Sequence, residues 1–241
     1  MTDNSSLTLL SWQQQLKAAA QPEIVAILSS FFKCGKGEYG EGDRFLGITV
    51  PVNRAISRHY YLLPLDQIAA MLHSPYHEFR LGALLALVRR YERCKADRAQ
   101  IVDFYLQNTQ YINNWDLVDL SCPKIIGDYV LTQPDAAMLM RLSRSKDMWE
   151  QRIAIVSTLT LIRANRFDTT IAIAESYLSH SHDLIHKATG WMLREMGKRS
   201  EQHLTAFLQS HAEHMPRTAL RYAIERLSPD QRAHWLSIKK R

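Results

Sequence analysis

Four stretches of this chain share one pattern, an early basic residue leading into an apolar helical run. They are FRLGALLAL, QRIAIVSTL, HKATGWML and PRTALRYAI, with Arg80, Arg152, Lys187 and Arg217 as the basic residues. The steps from 152 to 187 and from 187 to 217 are 35 and 30 residues, and the step from 80 to 152 is 72, twice 36. A further copy is therefore due near residue 116, where NNWDLVDLS carries Asp116 in the slot that is basic elsewhere. Helix pairs recurring at this period bury their apolar faces only by stacking on their neighbours, so the expected fold is all-α, an α-solenoid. Such a stack presents one residue from each repeat along a concave surface. For any single basic residue near a helix start, plain solvation is the simpler reading.

Local patterning agrees with helices. Leu81, Leu84, Leu85 and Val88 fall at i, i+3, i+4 and i+7, Ile155, Leu159 and Ile162 share one face, and no run alternates as a strand would. Ser74-Pro75 and Ser228-Pro229 place a capping residue before proline at a helix start, and Asp147 with Glu150 has the spacing of a capping box. A chain of 241 residues, 46% hydrophobic and 22% charged with nine glycines and eight prolines, excludes collagen-like, low-complexity and disordered classes. Residues 1–241 are expected to form a single helical repeat domain. No stretch approaches the roughly 20 apolar residues of a membrane span, and MTDNSSLTLL lacks the pattern of a leader. The expectation is a cytoplasmic, nucleoid-associated protein with no membrane partner.

Charge narrows the choice of partner. Residues 1–120 hold 12 basic and 12 acidic side chains, whereas residues 121–241 hold 18 and 12, so the whole net charge of +6 lies in the second half. A one-sided basic excess points to a polyanion, although a basic protein without such a partner remains an alternative.

Several motifs carry less. Five glycines in GKGEYGEGDRFLG, residues 35–47, mark a loop that either covers a ligand groove as a hinge or simply connects two helices. It lacks the spacing of a P-loop. His73/His77 and His182/His186 have the i, i+4 spacing of paired ligands but no HExxH motif and no third ligand, so no metal or cofactor is expected. Cys34, Cys94 and Cys122 are odd in number and far apart, hence plain small side chains.

The constellation that stands out is Trp115 with Asp119, four apart on one helix face, followed one repeat later by Arg152 and one further by Trp191, which shares a face with Lys187. Neighbouring repeats of a solenoid would bring two indoles, a carboxylate and a guanidinium to one groove. Either tryptophan alone would more simply be core. NNWDLVD, WEQRIAI and HKATGWMLRE, in this order and spacing, resemble the signatures of the AlkD-like DNA glycosylases, and GEYGEGDRFLGITVP is similar to that family's N-terminal region. The resemblance spans roughly residues 20–230.

The resemblance implies a HEAT-like solenoid that cradles duplex DNA and excises N3- or N7-alkylated purines without cofactor and without a base-sized pocket. The catalytic aspartate falls on Asp119, the groove tryptophans on Trp115 and Trp191, and the groove arginine on Arg152. Lys187, Arg217, Arg194 and Arg144 become candidate phosphate contacts. The glycine-rich loop departs from the compact N-terminus of the best-known members.

The chemistry is coherent in its own terms. An N-alkylated purine is already cationic and leaves neutral, so one carboxylate replaces the pair that glycoside hydrolysis ordinarily needs. At about 4 Å and an effective dielectric of about 20, a carboxylate attracts an oxocarbenium-like sugar by roughly 4 kcal/mol, about a thousandfold in rate. Each indole against a cationic lesion adds about 0.5–2 kcal/mol, partly as ground-state binding. No lysine accompanies the constellation in a way that argues for a Schiff base, so a monofunctional enzyme acting as a monomer is expected. Two other readings stay open: a catalytically silent repeat protein that binds damaged or branched DNA, and a helical scaffold for protein partners.

Overall fold

The computed structural model describes residues 7–132 and 136–238; residues 1–6 of the stretch read for a leader lie outside them. Within them the chain is all-α. It runs through α1 (Leu9–Ala18), α2 (Pro22–Phe31), α3 (Val50–Ser57), α4 (Leu65–Leu72), α5 (His77–Arg93), α6 (Arg98–Gln107), α7 (Trp115–Cys122), α8 (Asp128–Thr132) and α9 (Ala136–Ser143). There follow α10 (Met148–Arg163), α11 (Asp168–Ser176), α12 (Asp183–Arg199), α13 (Glu201–His211), α14 (Arg217–Ala223) and α15 (Pro229–Ser237). The β-structure among the described residues is one isolated bridge, Arg44 with Tyr76. Two compact units emerge, residues 1–121 and 122–241.

In the first unit α5 is central. Phe79, Leu81, Ala83, Leu84, Leu87, Val88 and Tyr91 are buried around its circumference, where it packs on α3, α4 and α6. Burial of each such Leu or Phe is worth about 1.5–3 kcal/mol. Trp12 and Leu16 anchor α1, the indole N–H donating to Ser57 Oγ at 3.0 Å and the ring stacking on Tyr60. By contrast α2 is apolar in sequence yet buries none of its residues fully, leaving Ile27 and Phe31 exposed.

In the second unit the sequence period is visible as packing. Helices α10, α12 and α14 form one row, each against the next, while α9 and α11 pair in a row behind. The members of the first row begin at Met148, Asp183 and Arg217, close to the spacing read from the basic residues. Close approach within the row demands a small residue: a Cβ on Gly190 would stand 2.4 Å from the Ala219 carbonyl oxygen. Before this row, a π-helical turn at Pro123–Gly127 continues α7 toward α8, and Thr160 Oγ1 fixes it by donating to the Pro123 carbonyl at 2.6 Å.

Of the three helix starts read from the sequence, two are used as caps, although at Asp147 no capping box with Glu150 is formed. Ser228 caps α15 with Pro229 in the first turn, and Asp147 caps α10 by accepting from the Trp149 N–H at 2.7 Å. Ser74-Pro75, however, does not start α5, which begins at His77. The Arg44–Tyr76 bridge holds the preceding residues extended, and Ser74 Oγ instead accepts from the Tyr76 N–H.

Candidate active site

Trp115 and Asp119 stand one turn apart on α7, both half-buried. Side chains fix the start of this helix. Asn114 Oδ1 accepts from the Trp115 N–H at 2.8 Å, and Asp116 Oδ1 accepts from the Leu117 N–H at 2.8 Å, satisfying donors that a helix N-terminus leaves without intrahelical partners. The Trp115 indole stacks on Phe32 at 5.4 Å and meets Phe31 edge-on at 5.7 Å. These two phenylalanines end α2 and begin the turn after it.

Behind α7 runs a chain of charged groups. His77 Nε2 bonds Asp116 Oδ2 at 2.8 Å, His77 Nδ1 bonds Asp43 Oδ2 at 3.1 Å, and Arg80 pairs with Asp43 Oδ1 at 2.6 Å. The His77, Asp43 and Arg80 side chains are each less than 10% exposed. The His77 ring packs against Phe32 and Phe45, 4.8 Å from each, and those two rings stack on one another at 5.4 Å. Buried ions of this kind persist only when paired, and this chain alternates in sign. Burial alone would lower the His77 pKa. The hydrogen bond and charge of Asp116, with the Asp43 hydrogen bond, outweigh burial and the opposing Arg80, so it is pushed up to about 9. Burial likewise opposes ionisation of Asp43, but His77 and Arg80 hold its carboxyl below the usual range.

This arrangement corrects the repeat-slot reading at two positions. Arg80 does not line a basic surface but neutralises Asp43, and Asp116 is an internal partner of His77. Only residues distant in sequence reveal either role. The glycine-rich segment is equally tied down: the Glu78 carboxylate accepts from the backbone N–H groups of Leu46, Gly47 and Ile48 at 2.8–3.1 Å, and Asp43 joins His77. Gly47 has φ +83°, and a Cβ there would lie 2.0 Å from the Gln21 carbonyl oxygen. The C-terminal half of the loop is thus a docked strap.

The remaining sequence candidates belong to the second unit. Arg152 on α10 is buried and donates from one terminal nitrogen to the Leu184 carbonyl at 2.6 Å, in the first turn of α12. Trp191 is half-buried one turn after Lys187 on α12, and Lys187 pairs with Asp183 at 2.9 Å. Arg194 pairs with Glu225, and Arg217 donates to the carbonyls of Leu236 and Ile238 at 2.8 and 3.0 Å, clasping the end of α15. Arg144, just after α9, is exposed. Trp115 with Asp119, and Arg152 with Lys187 and Trp191, are therefore two sets held by two different units.

The paired histidines are engaged in other ways. His73 bonds Asn108 at 2.7 Å, while the His182 ring caps α12 by accepting from the Leu184 N–H at 3.1 Å. Burial, then His186 and Arg152, keep the His182 pKa low despite Asp183. Among the described residues no group of three or more His, Cys, Asp or Glu side chains is placed to hold a metal ion. Nor is any helix there long and apolar enough to cross a membrane. Sequence reasoning missed Asp43 and Phe32 and read His77 only as half of a ligand-spaced pair, and the signal for Phe32 was the Phe-Phe pair just ahead of the glycines.

Comparison with known proteins supplies the context. A family model described as DNA alkylation repair enzyme matches residues 12–227. No curated protein matches the chain. Among solved structures, one from Enterococcus faecalis, described as a predicted DNA alkylation repair enzyme, is similar with a TM-score of 0.67 at 19% identity, covering 87% of this chain and 97% of that one. At that identity the likeness speaks to the fold.

Proposed function

The chain belongs to the DNA alkylation repair enzyme family, and from that premise we propose that it is a monofunctional DNA glycosylase that releases N3- or N7-alkylated purines from duplex DNA. The coarser statement stands by membership: this is a repair enzyme whose substrate is DNA carrying alkylated bases. The observation that carries the finer reading is the placement of Asp119 one turn after Trp115, on a helix whose start is fixed by Asn114, Asp116 and a stack on Phe32.

A carboxylate held on a rigid element acts by preorganised electrostatics. As the glycosidic bond lengthens, positive charge moves from the alkylated base to the deoxyribose, and Asp119 stabilises it there while orienting the attacking water. Trp115 offers a π face to a cationic base, and Trp191 in the second unit is a further aromatic candidate for that role. Arg152, its guanidinium oriented by the Leu184 carbonyl, binds a phosphate beside the lesion. Lys187 and the exposed Arg144 add phosphate contacts, whereas Arg194 and Arg217 first serve Glu225 and the end of α15.

The test is release of free 3-methyladenine and 7-methylguanine from methylated duplex DNA at neutral pH, with wild type and Asp119→Asn side by side. Release that depends on Asp119 is expected. Tight, salt-sensitive DNA binding without release of either base would overturn the glycosylase reading in favour of a silent DNA-binding repeat protein.

A further inference from the structure

We propose that His77 is a positioning residue for the candidate active site, tying the glycine-rich strap to the first turn of α7 through its two ring nitrogens and thereby setting where Trp115 and Asp119 stand. The inference rests on the reading of α7 as the site of chemistry.

The geometry gives the reason. His77 is the first residue of α5, and its backbone N–H donates to the Arg44 carbonyl at 2.8 Å, so the ring is fixed on a rigid element beside the strap. Its Nδ1 faces Asp43 of the strap and its Nε2 faces Asp116, the residue after Trp115. Both neighbours are carboxylates, which when ionised only accept, so both links exist together only when both ring nitrogens carry protons. A neutral imidazole has one N–H and must release either the strap or α7.

The charge balance points the same way. Arg80 and protonated His77 match Asp43 and Asp116, whereas a neutral ring would leave one buried carboxylate in excess. The ring packs against Phe32 and Phe45, which stack on each other, and Phe32 is the platform on which Trp115 stacks. Loss of either link is therefore transmitted to the indole by packing.

The groups facing His77 are Asp43 from the strap, Asp116 from α7 and Arg80 from α5, with Glu78 committed to the strap backbone. Cys34, whose thiol burial and then Asp43 and Glu38 push up to about 11, stays protonated over the range in which the ring titrates. A transition near pH 9 at this site belongs to His77.

The experiment follows the Trp115 resonance by 19F NMR in protein labelled with 5-fluorotryptophan, assigned with Trp115→Phe, from pH 7 to 10, alongside single-turnover release of 3-methyladenine. In wild type the resonance should shift with a midpoint near 9, and the rate should fall over the same range. His77→Gln keeps a donor toward Asp116 and cannot titrate, so the midpoint should vanish from both readouts. His77→Asn keeps only the reach toward Asp43 and should release base about ten- to hundredfold more slowly than wild type at pH 7. Affinity for undamaged duplex should be unchanged in both.

A Trp115 resonance flat across this range in wild type overturns the proposal without any variant being needed. So do Gln and Asn variants of equal rate that both retain the wild-type midpoint. Absence of base release in wild type would instead defeat the glycosylase reading, while the Trp115 titration still decides whether His77 positions α7.

Discussion

The two units handle charge in opposite ways. Residues 1–120 are neutral overall and bury a chain of four alternating ionic groups, Arg80, Asp43, His77 and Asp116, under the start of α7. Residues 121–241 carry the whole excess of +6 and build a regular row of helices, in which Arg152 and Lys187 each stand at the fifth position of their helix and Arg217 at the first. The difference teaches that a repeat period and a site are separate properties of a sequence. The regular unit displays its period, and the unit with the Trp115/Asp119 pair has broken it: Asp116 replaces the basic slot because it serves a neighbour rather than a ligand. In the glycosylase reading the first unit supplies the reacting carboxylate and the second supplies most of the attraction for DNA.

The largest expected effect separates those roles. Asp119→Asn removes a charge that matters only as the sugar becomes cationic, so excision should fall about a hundred- to thousandfold while the affinity for duplex stays near wild type. Single-turnover release and equilibrium binding measured on the same preparations check it. A parallel loss of affinity would mean that the first unit also does the binding, and the division of labour would collapse.

The next effect is a pH dependence of stability that originates in the first unit. The folded pKa of His77, about 9, lies above the ordinary 6.5, so its contribution is complete below pH 6.5 and is lost as pH rises through 9. The difference is worth about 3 kcal/mol. Thermal unfolding between pH 6 and 10 should show the decline, and His77→Gln should flatten it. In the second unit Gly190→Ala is expected to cost about 1–3 kcal/mol, because the new methyl meets the Ala219 carbonyl and the gain in helix propensity is smaller. For a chain of this length the melting temperature should fall by a few degrees, roughly 2–4 °C per kcal/mol. An unchanged Tm would show that α12 and α14 have room to separate.

How much of this was legible in the sequence follows from the same contrast. The all-α fold, the row α10, α12 and α14, the caps Asp147 and Ser228, and the helix beginning at Trp115 all rest on local spacing, which a one-dimensional reading captures. The buried chain is non-local: Asp43 and His77 are 34 residues apart, His77 and Asp116 are 39 apart, and glycines lie between some of their elements. Nothing in the spacing of Arg80 distinguished an arginine facing phosphate from one neutralising a buried aspartate. Arg217 is similar, since its use as a clasp on α15 depends on where that helix ends. The family resemblance points to Trp115 and Asp119 because it reads a motif. It did not find the His77 network beneath them, whose members are spread over three elements.

The smallest effect tests the charge asymmetry itself. If the second unit meets the phosphates, neutralising Lys187 or Arg144 should reduce the slope of log K against log salt by about 0.9 for each phosphate no longer neutralised. Neutralising the exposed Lys17 or Lys36 of the first unit should leave the slope as it is. Lys187 is the sharper case, because its partner Asp183 already holds the ammonium at 2.9 Å. If that pair must open to reach a phosphate, part of the attraction is offset, and the Lys187→Gln change in affinity should be smaller than that of Arg144→Gln. A salt titration of duplex binding with the four single variants decides between these outcomes. Equal slopes for all four would mean that net charge steers the encounter without direct phosphate binding, and that the basic excess of the second unit acts as a field rather than as a row of ligands.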